Sequence, residues 1–462
     1  MNRRSPKFED ADRLRKNKQF AKAIPLFADL WKTEPSPYVG WRYASCLRKA
    51  NQPDQAVEIM RQARSQYPND KYTLGELIDC LRAAGELEEA EQIARQALGL
   101  FPDDRHISDR LIWVLYDKKL KPAKEDSDLD QILQSAEEIL VLGPNDLALR
   151  LIVQAVMKVA KEQNNAKWDV ILRWSDKATP EVFETSPNEY NGKTWMSDRE
   201  TYYIGRSRAL LELKRYEEAR QQAENGLRDF PNSFFLKRIV ALSLAGLGNT
   251  QEAVVEMREL QKHPRCDWYA KAELAGMEYS LGHHAEAFRL MCDALQSTRQ
   301  GAQYKLGHFV MLANIAVTLR KPDVAAAHVQ LAKVVRTNRS WSIPLELFQA
   351  ERDTEELLET LEQSWPDLPD DEVELSRICE KLWREAATGD LERKEGILLG
   401  LPPGKSYTFI KPDDGSENVF VHQRNLPRRS HEGMRVDFAL KPSFDRKKNR
   451  ESFEAVDVRV LR

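Results

Sequence analysis

Cysteine is scarce. The 462 residues hold five (Cys46, Cys80, Cys266, Cys292 and Cys379), and no two form a C-x-x-C pair. That scatter argues against a disulfide framework and against zinc, and it points to a reducing compartment. Long apolar runs are also missing. The longest uncharged stretches, such as HFVMLANIAVTL at 308–319, are too short to span a bilayer. The opening MNRRSPKFEDADRLRKNK has no apolar core of the secretory type. A cytoplasmic chain with no membrane partner is the expectation. Nor does one sign of charge dominate, with 70 basic residues against 73 acidic. The distribution is uneven, however. From Gly396 to Arg462 there are 13 basic and 9 acidic residues, against 57 and 64 in the rest. The C-terminal part is the mildly basic one, as expected where an anion binds.

Catalytic signatures are absent too. No nucleophile motif stands out, and no carboxylate pair has catalytic spacing against a His or Lys. GLPPGKS at 400–406 imitates a phosphate-binding loop, but it has three residues between Gly400 and Gly404 where the Walker pattern needs four. The 56 residues after Ser406 are too few for a nucleotide-hydrolysing sheet. His283-His284 has no acid or Cys arranged with it for a metal. The expectation is a non-enzymatic protein with no cofactor and no metal.

What the sequence does have is a period near 34 residues. Residues 37–70, 71–104 and 200–233 each carry residues spaced i, i+4, i+7 and a Pro five further on. These are Ala56, Met60, Ala63, Pro68; Ala90, Ala94, Ala97, Pro102; and Ala219, Ala223, Gly226, Pro231. The first three of each set share one helix face, where small side chains let a neighbouring helix approach, and the Pro ends the helix. Weaker copies lie at 4–36, 234–267, 268–301 and 306–339, and 105–146 reads as a copy with an eight-residue insertion around KKLKPAKEDSD. FETSPNEYNGKTWMSD at 183–198 breaks the period and reads as a loop. These units resemble the tetratricopeptide repeat family, whose unit is an antiparallel helix pair. The resemblance implies eight or nine pairs in a right-handed superhelical solenoid that binds a protein partner, or the side of a structured RNA, on its concave face. The Lys and Asn of that family's peptide clamps are replaced here by Trp41 and Ser45, so a clamp for acidic C-terminal peptides is not supported. Trp41, Arg48, Lys49 and Arg82 are the groove candidates. Repeats are expected over 1–342 and a helical cap or linker over 343–395, since a solenoid must cover its last apolar face.

The stretch KSYTFIKPDDGSENVFVH (405–422) is built differently. Alternation puts Tyr407 and Phe409 on one face of a strand and Phe420 and His422 on one face of the next, with Pro412-Asp413-Asp414-Gly415 as the turn. Lys405, Lys411 and Gln423 lie at the margin. Ile410, Val419 and Val421 point the other way and supply a core without the rings, although alternating aromatics also face inward in many small barrels. Exposed rings beside cations suit single-stranded nucleic acid. Residues 396–460 resemble a cold-shock domain, a five-stranded barrel of the oligonucleotide-binding type. KSYTFIKPDDG, NVFVHQRNL, EGMRVDFAL and FEAVDVRVL carry the resemblance in order. It implies a barrel over 396–462 that binds single-stranded RNA in preference to DNA, with Lys405, Tyr407, Phe409, Phe420 and His422 as contacts. Three departures weaken that implication, the first being Ser406-Tyr407-Thr408 where the family's first motif has Gly-aromatic-Gly. The first-strand Trp of the family is absent, GILLGLPPG offering Gly400 or Leu401, and the aromatic after the His is Gln423. The long loop PSFDRKKNRES adds Arg446, Lys447, Lys448 and Arg450 as backbone contacts. The alternative is a pure protein-interaction scaffold whose barrel no longer binds nucleic acid, and exposure of the four rings discriminates the two.

Overall fold

Helix boundaries follow from the capping residues. Ser36, Asp70, Asp104, Asp128, Asn145 and Ser197 each accept the backbone N–H three residues on, an arrangement that contributes about 0.5–2 kcal/mol per cap. In the computed structural model, which describes residues 5–263, 265–389, 391–401, 404–427, 429–445 and 450–461, helices dominate. They run α1 (Pro6–Lys16), α2 (Phe20–Thr33), α3 (Pro37–Lys49), α4 (Pro53–Gln66), α5 (Lys71–Ala84), α6 (Leu87–Leu100), α7 (Arg105–Leu115), α8 (Lys121–Glu125), α9 (Leu129–Val141), α10 (Asp146–Glu162), α11 (Trp168–Ser175), α12 (Asp198–Glu212), α13 (Tyr216–Asp229), α14 (Phe234–Gly246), α15 (Thr250–Gln261), α16 (Trp268–Ser280), α17 (His284–Ser297), α18 (Leu306–Thr318), α19 (Pro322–Thr337), α20 (Leu345–Thr360) and α21 (Glu372–Thr388). The chain is a tetratricopeptide-like solenoid of helix pairs followed by a small closed barrel.

The i, i+4, i+7 residues do what their spacing predicts. Ala56, Met60 and Ala63 on α4, and Ala90, Ala94 and Ala97 on α6, are fully buried against neighbouring helices. Pro68 and Pro102 lie just beyond the ends of those helices. Two segments differ from expectation. The insertion in the fourth unit lengthens its first helix, because a π-helical turn over Tyr116–Leu120 joins α7 to α8 without a break. The 183–198 segment is not all loop. It holds a two-stranded hairpin, β1 (Asn188–Tyr190) with β2 (Lys193–Trp195). Asn191 and Gly192 both take positive φ at its turn, the backbone that an Asn-Gly pair favours in two-residue hairpins.

The chain divides into two compact units, Met1–Gln222 and Ala223–Arg462, the division falling in the sequence of α13. The second unit contains both helices and barrel. One hydrophobic core runs from Phe234 to Trp383, so α20 and α21 share it with the helix pairs before them. At its centre His328 is fully buried. Its Nε2 accepts from Trp383 Nε1–H (2.6 Å), which leaves Nδ1 to donate to the Val324 carbonyl (2.7 Å). Burial pushes the His328 pKa down to about 4, against that carbonyl bond.

The barrel has five strands, β3 (Arg393–Leu398), β4 (Tyr407–Pro412), β5 (Val419–His422), β6 (Arg435–Asp445) and β7 (Arg450–Val460), in the closed order β3-β4-β5-β7-β6. It starts at Arg393, inside the stretch expected to be linker. All neighbours are antiparallel except β5 and β7, which run parallel. Leu398, Ile410, Val419, Val421, Val436, Phe438, Leu440, Ala455 and Val458 fill the interior. Gly396 is required where β3 crosses β4, because a Cβ there would lie 2.4 Å from the Lys411 carbonyl oxygen. Gly415 closes the β4–β5 turn at φ +76°.

Candidate nucleic-acid interface

Register decides where the rings go. Phe409 lies opposite Phe420, and Tyr407 opposite His422. Thr408, Ile410, Val419 and Val421 alternate with them and point into the barrel, where all four are buried. The rings therefore face outward. Tyr407 and Phe420 have centroids 5.4 Å apart, Tyr407 and Phe409 6.1 Å, and Phe409 and Phe420 6.0 Å, the last two edge to face. These are ordinary aromatic packing distances. Phe409 is 38% exposed, while Tyr407, Phe420 and His422 are half-buried. Burial lowers the His422 pKa, the nearby charge of Arg424 lowers it further, Glu454 opposes them, and Arg299 adds a smaller push in the same direction. Thr408 Oγ1 donates to the carbonyls of Leu399 (3.0 Å) and Gly400 (2.8 Å), which ties the loop after β3 to the inner face of β4.

The cations of the barrel divide by partner. Arg393 binds Asp437 and Asp457, Lys394 binds Asp414, Arg435 binds Asp413, and Arg459 binds Asp457. Arg450, expected as a backbone contact, is engaged by Glu417 at 2.6 Å. By contrast, Lys405 and Lys411 are exposed beside the rings and make no ion pair among the described residues. Arg424 shares that property; the sequence reading missed it, although it stands only two positions after His422. Gln423 is exposed, and its backbone N–H donates to the Ser406 carbonyl (2.8 Å). Arg446, Lys447 and Lys448 lie outside the described residues. On the first strand, Leu399 N–H donates to the Phe409 carbonyl (2.9 Å), so by register the residue flanking Phe409 is Leu399. An aliphatic side chain thus stands where a further stacking ring would fit.

In the first unit, α1, α3, α5 and α7 touch in succession and carry a ladder of ion pairs. Arg42 reaches Asp12 (3.0 Å), Arg48 reaches Glu76 (2.9 Å), Arg110 reaches Asp79 (3.2 Å) and Arg82 reaches Asp117 (2.5 Å). Arg48 and Arg82 are thus held by neighbouring helices, whereas Lys49 is exposed and makes no ion pair among the described residues. Burial pushes the Glu76 carboxyl up to about 7 even with Arg48 beside it. Trp41 stacks on Tyr72 with centroids 6.4 Å apart, and Tyr38 lies 6.3 Å from Tyr72. His283 is not without an acid: its Nδ1 lies 2.8 Å from a Glu278 oxygen. No group of three or more metal-ligating side chains occurs among the described residues. No described helix is long and apolar enough to cross a membrane. One further surface stands out. Trp341, Ile343, Leu345 and Phe348 are all exposed within eight residues, Leu345 at 76% and Phe348 at 60%.

A tetratricopeptide repeat family model matches residues 14–72 and 47–109. Among solved structures, a tetratricopeptide repeat protein from Parabacteroides merdae is 14% identical with a TM-score of 0.29, the match covering 71% of this chain and 98% of that one. The TPR2AB-domain:pHSP90 complex of yeast Sti1 is 13% identical with a TM-score of 0.29, covering 62% and 96%. The structure of Naa15/Naa10 bound to HypK-THB is 14% identical with a TM-score of 0.37, covering 82% and 59%. No curated protein matches the sequence.

Proposed function

We propose that this chain is a non-enzymatic RNA-associated adaptor. The barrel takes single-stranded RNA, in preference to DNA, on the outer face of β4 and β5, and the helix pairs take a protein partner. One observation carries the reading. Tyr407, Phe409 and Phe420 gather on the outside of the barrel, beside Lys405, Lys411 and Arg424, which have no carboxylate partner among the described residues. Bases stack on such rings for about 1–3 kcal/mol each, and the cations meet phosphates. The strand order, with its parallel β5–β7 contact, fits the oligonucleotide-binding barrel, whose second and third strands form the ligand face. For the helical part, the apolar run Trp341–Phe348 is the kind of exposed patch that partners cover.

The test is fluorescence anisotropy at low salt with a short labelled RNA. Phe409→Ala and Phe420→Ala should each weaken binding by about 1–3 kcal/mol, or roughly 5- to 150-fold. Unchanged affinity would remove the barrel from RNA binding. It would favour the second reading, a protein scaffold, to which the aliphatic Leu399 beside Phe409 already lends support.

A further inference from the structure

We propose that the RNA path does not end at the barrel but continues onto the turn after α17, where Arg299 takes a phosphate. The inference rests on the RNA-binding reading above and extends it to a residue of the helical part.

The placement comes from a row of side chains across the outside of the barrel. Phe409 pairs with Phe420, Phe420 with Glu454, and Glu454 with Lys441. Adjacent strands lie about 4.8 Å apart, so Lys441 is roughly 15 Å from Phe409 along that row. Its ammonium binds Asp293 on α17, and Asp293 also holds Lys271 of α16 at 2.8 Å. One end of the row is thus fixed to the helices and the other carries the rings. α17 ends at Ser297, and Arg299 follows two residues later, exposed and without an ion pair among the described residues.

The charges of Arg424 and, more weakly, Arg299 both reach His422 and disfavour its protonated form. The nearby carboxylate, Glu454, accepts from Asn425 Nδ2 (3.0 Å). Several other arginines of this unit are matched with acids: Arg258 with Glu278, Arg289 with Glu286, Arg339 with Glu372 and Arg393 with Asp437. Two arginines that make no ion pair among the described residues, set against the one carboxylate of Glu454, favour an anion from outside. A single strand leaving the rings past His422 meets Arg424 and then Arg299, and its backbone supplies a negative charge at every nucleotide. The barrel's fixed seat on α16 and α17 makes the two parts one surface.

The experiment uses the full chain and a fluorescein-labelled uridine octamer, titrated at several sodium chloride concentrations. Arg299→Ala should weaken binding and reduce the slope of log affinity against log salt by about 0.7, the value for one phosphate contact on a single strand. Arg299→Lys should restore the slope. Phe409→Ala should weaken binding and leave the slope alone, and Arg459→Ala, whose guanidinium is bound to Asp457, should change neither. If Phe409→Ala weakens binding while Arg299→Ala leaves affinity and slope at wild-type values, this inference is overturned and the barrel reading stands. If the wild-type chain fails to bind the octamer at low salt, the barrel reading falls and takes this inference with it.

Discussion

Replacing Asp293 with Asn should loosen the barrel from the helices that carry it. Asp293 is the shared counter-charge of Lys441 on β6 and Lys271 on α16. Burial alone would raise its pKa, yet the two lysines overcome that and hold the carboxyl below the usual carboxylate range. Breaking a fully buried pair costs about 3–5 kcal/mol, and an exposed pair contributes about 1 or less. Here the Asp293 side chain is 14% exposed and each lysine 27%, so the cost should fall between, near 2 kcal/mol. For a unit of this size that is a Tm drop of roughly 5 °C. Scanning calorimetry of the full chain reads the drop, and hydrogen exchange locates it on α16, α17 and β6. Lys441→Met leaves Asp293 with Lys271 and should cost less. The double variant Asp293→Asn, Lys441→Met should recover part of the loss, because one of two facing lysines is gone. A Tm within about 1 °C of wild type for Asp293→Asn, or strictly additive effects, would refute the idea that this ion trio holds the barrel in place. The pH sign follows from the depressed pKa. The contribution is complete above the ordinary aspartate value near 4 and is lost as pH falls below it.

Two further outcomes follow from geometry. His328 is neutral in the fold and titrates at about 4, whereas an unfolded His titrates near 6.5, so stability should be full above pH 6.5 and fall by up to about 3 kcal/mol as pH drops to 4; His328→Phe should flatten the urea midpoint across that window, and an unchanged slope would contradict the assignment. Gly396→Ala places a methyl against the Lys411 carbonyl oxygen and should destabilise the barrel by about 1–3 kcal/mol, seen as faster hydrogen exchange in β3 and β4 with the helices unaffected.

The repeat body was legible because its signal is local. An Ala at i and i+4 on one helix predicts close approach whichever helix arrives, and Ala90 and Ala94 are buried accordingly. The barrel face was legible for the same reason, since alternation fixes which side Phe409 and Ile410 take once the strand exists. What escaped depends on distant partners. Arg48 and Arg82 looked available for a groove, but their acids, Glu76 and Asp117, sit 28 and 35 residues away on the next helices. The contact between Lys441 and Asp293 spans 148 residues, and no periodicity in either segment announces it. The π-helical turn at Tyr116–Leu120 accommodates an insertion that sequence could locate but not shape. The hairpin at 188–195 had a readable cue in Asn191-Gly192, overlooked because its strands are only three residues long.

The closure of the barrel limits how anything can attach to it. Each of its five strands already has a neighbour on both sides, with β6 returning to β3. Along β4, which is flanked by β3 and β5, a guest peptide cannot add as a further strand; the backbone left without a strand on its other side, among the described residues, is at the hairpin end of β6, beyond Ala439. On the face of β4 and β5 recognition is left to side chains, so the ligand there can be changed by exchanging a few surface residues while the backbone beneath them stays as it is.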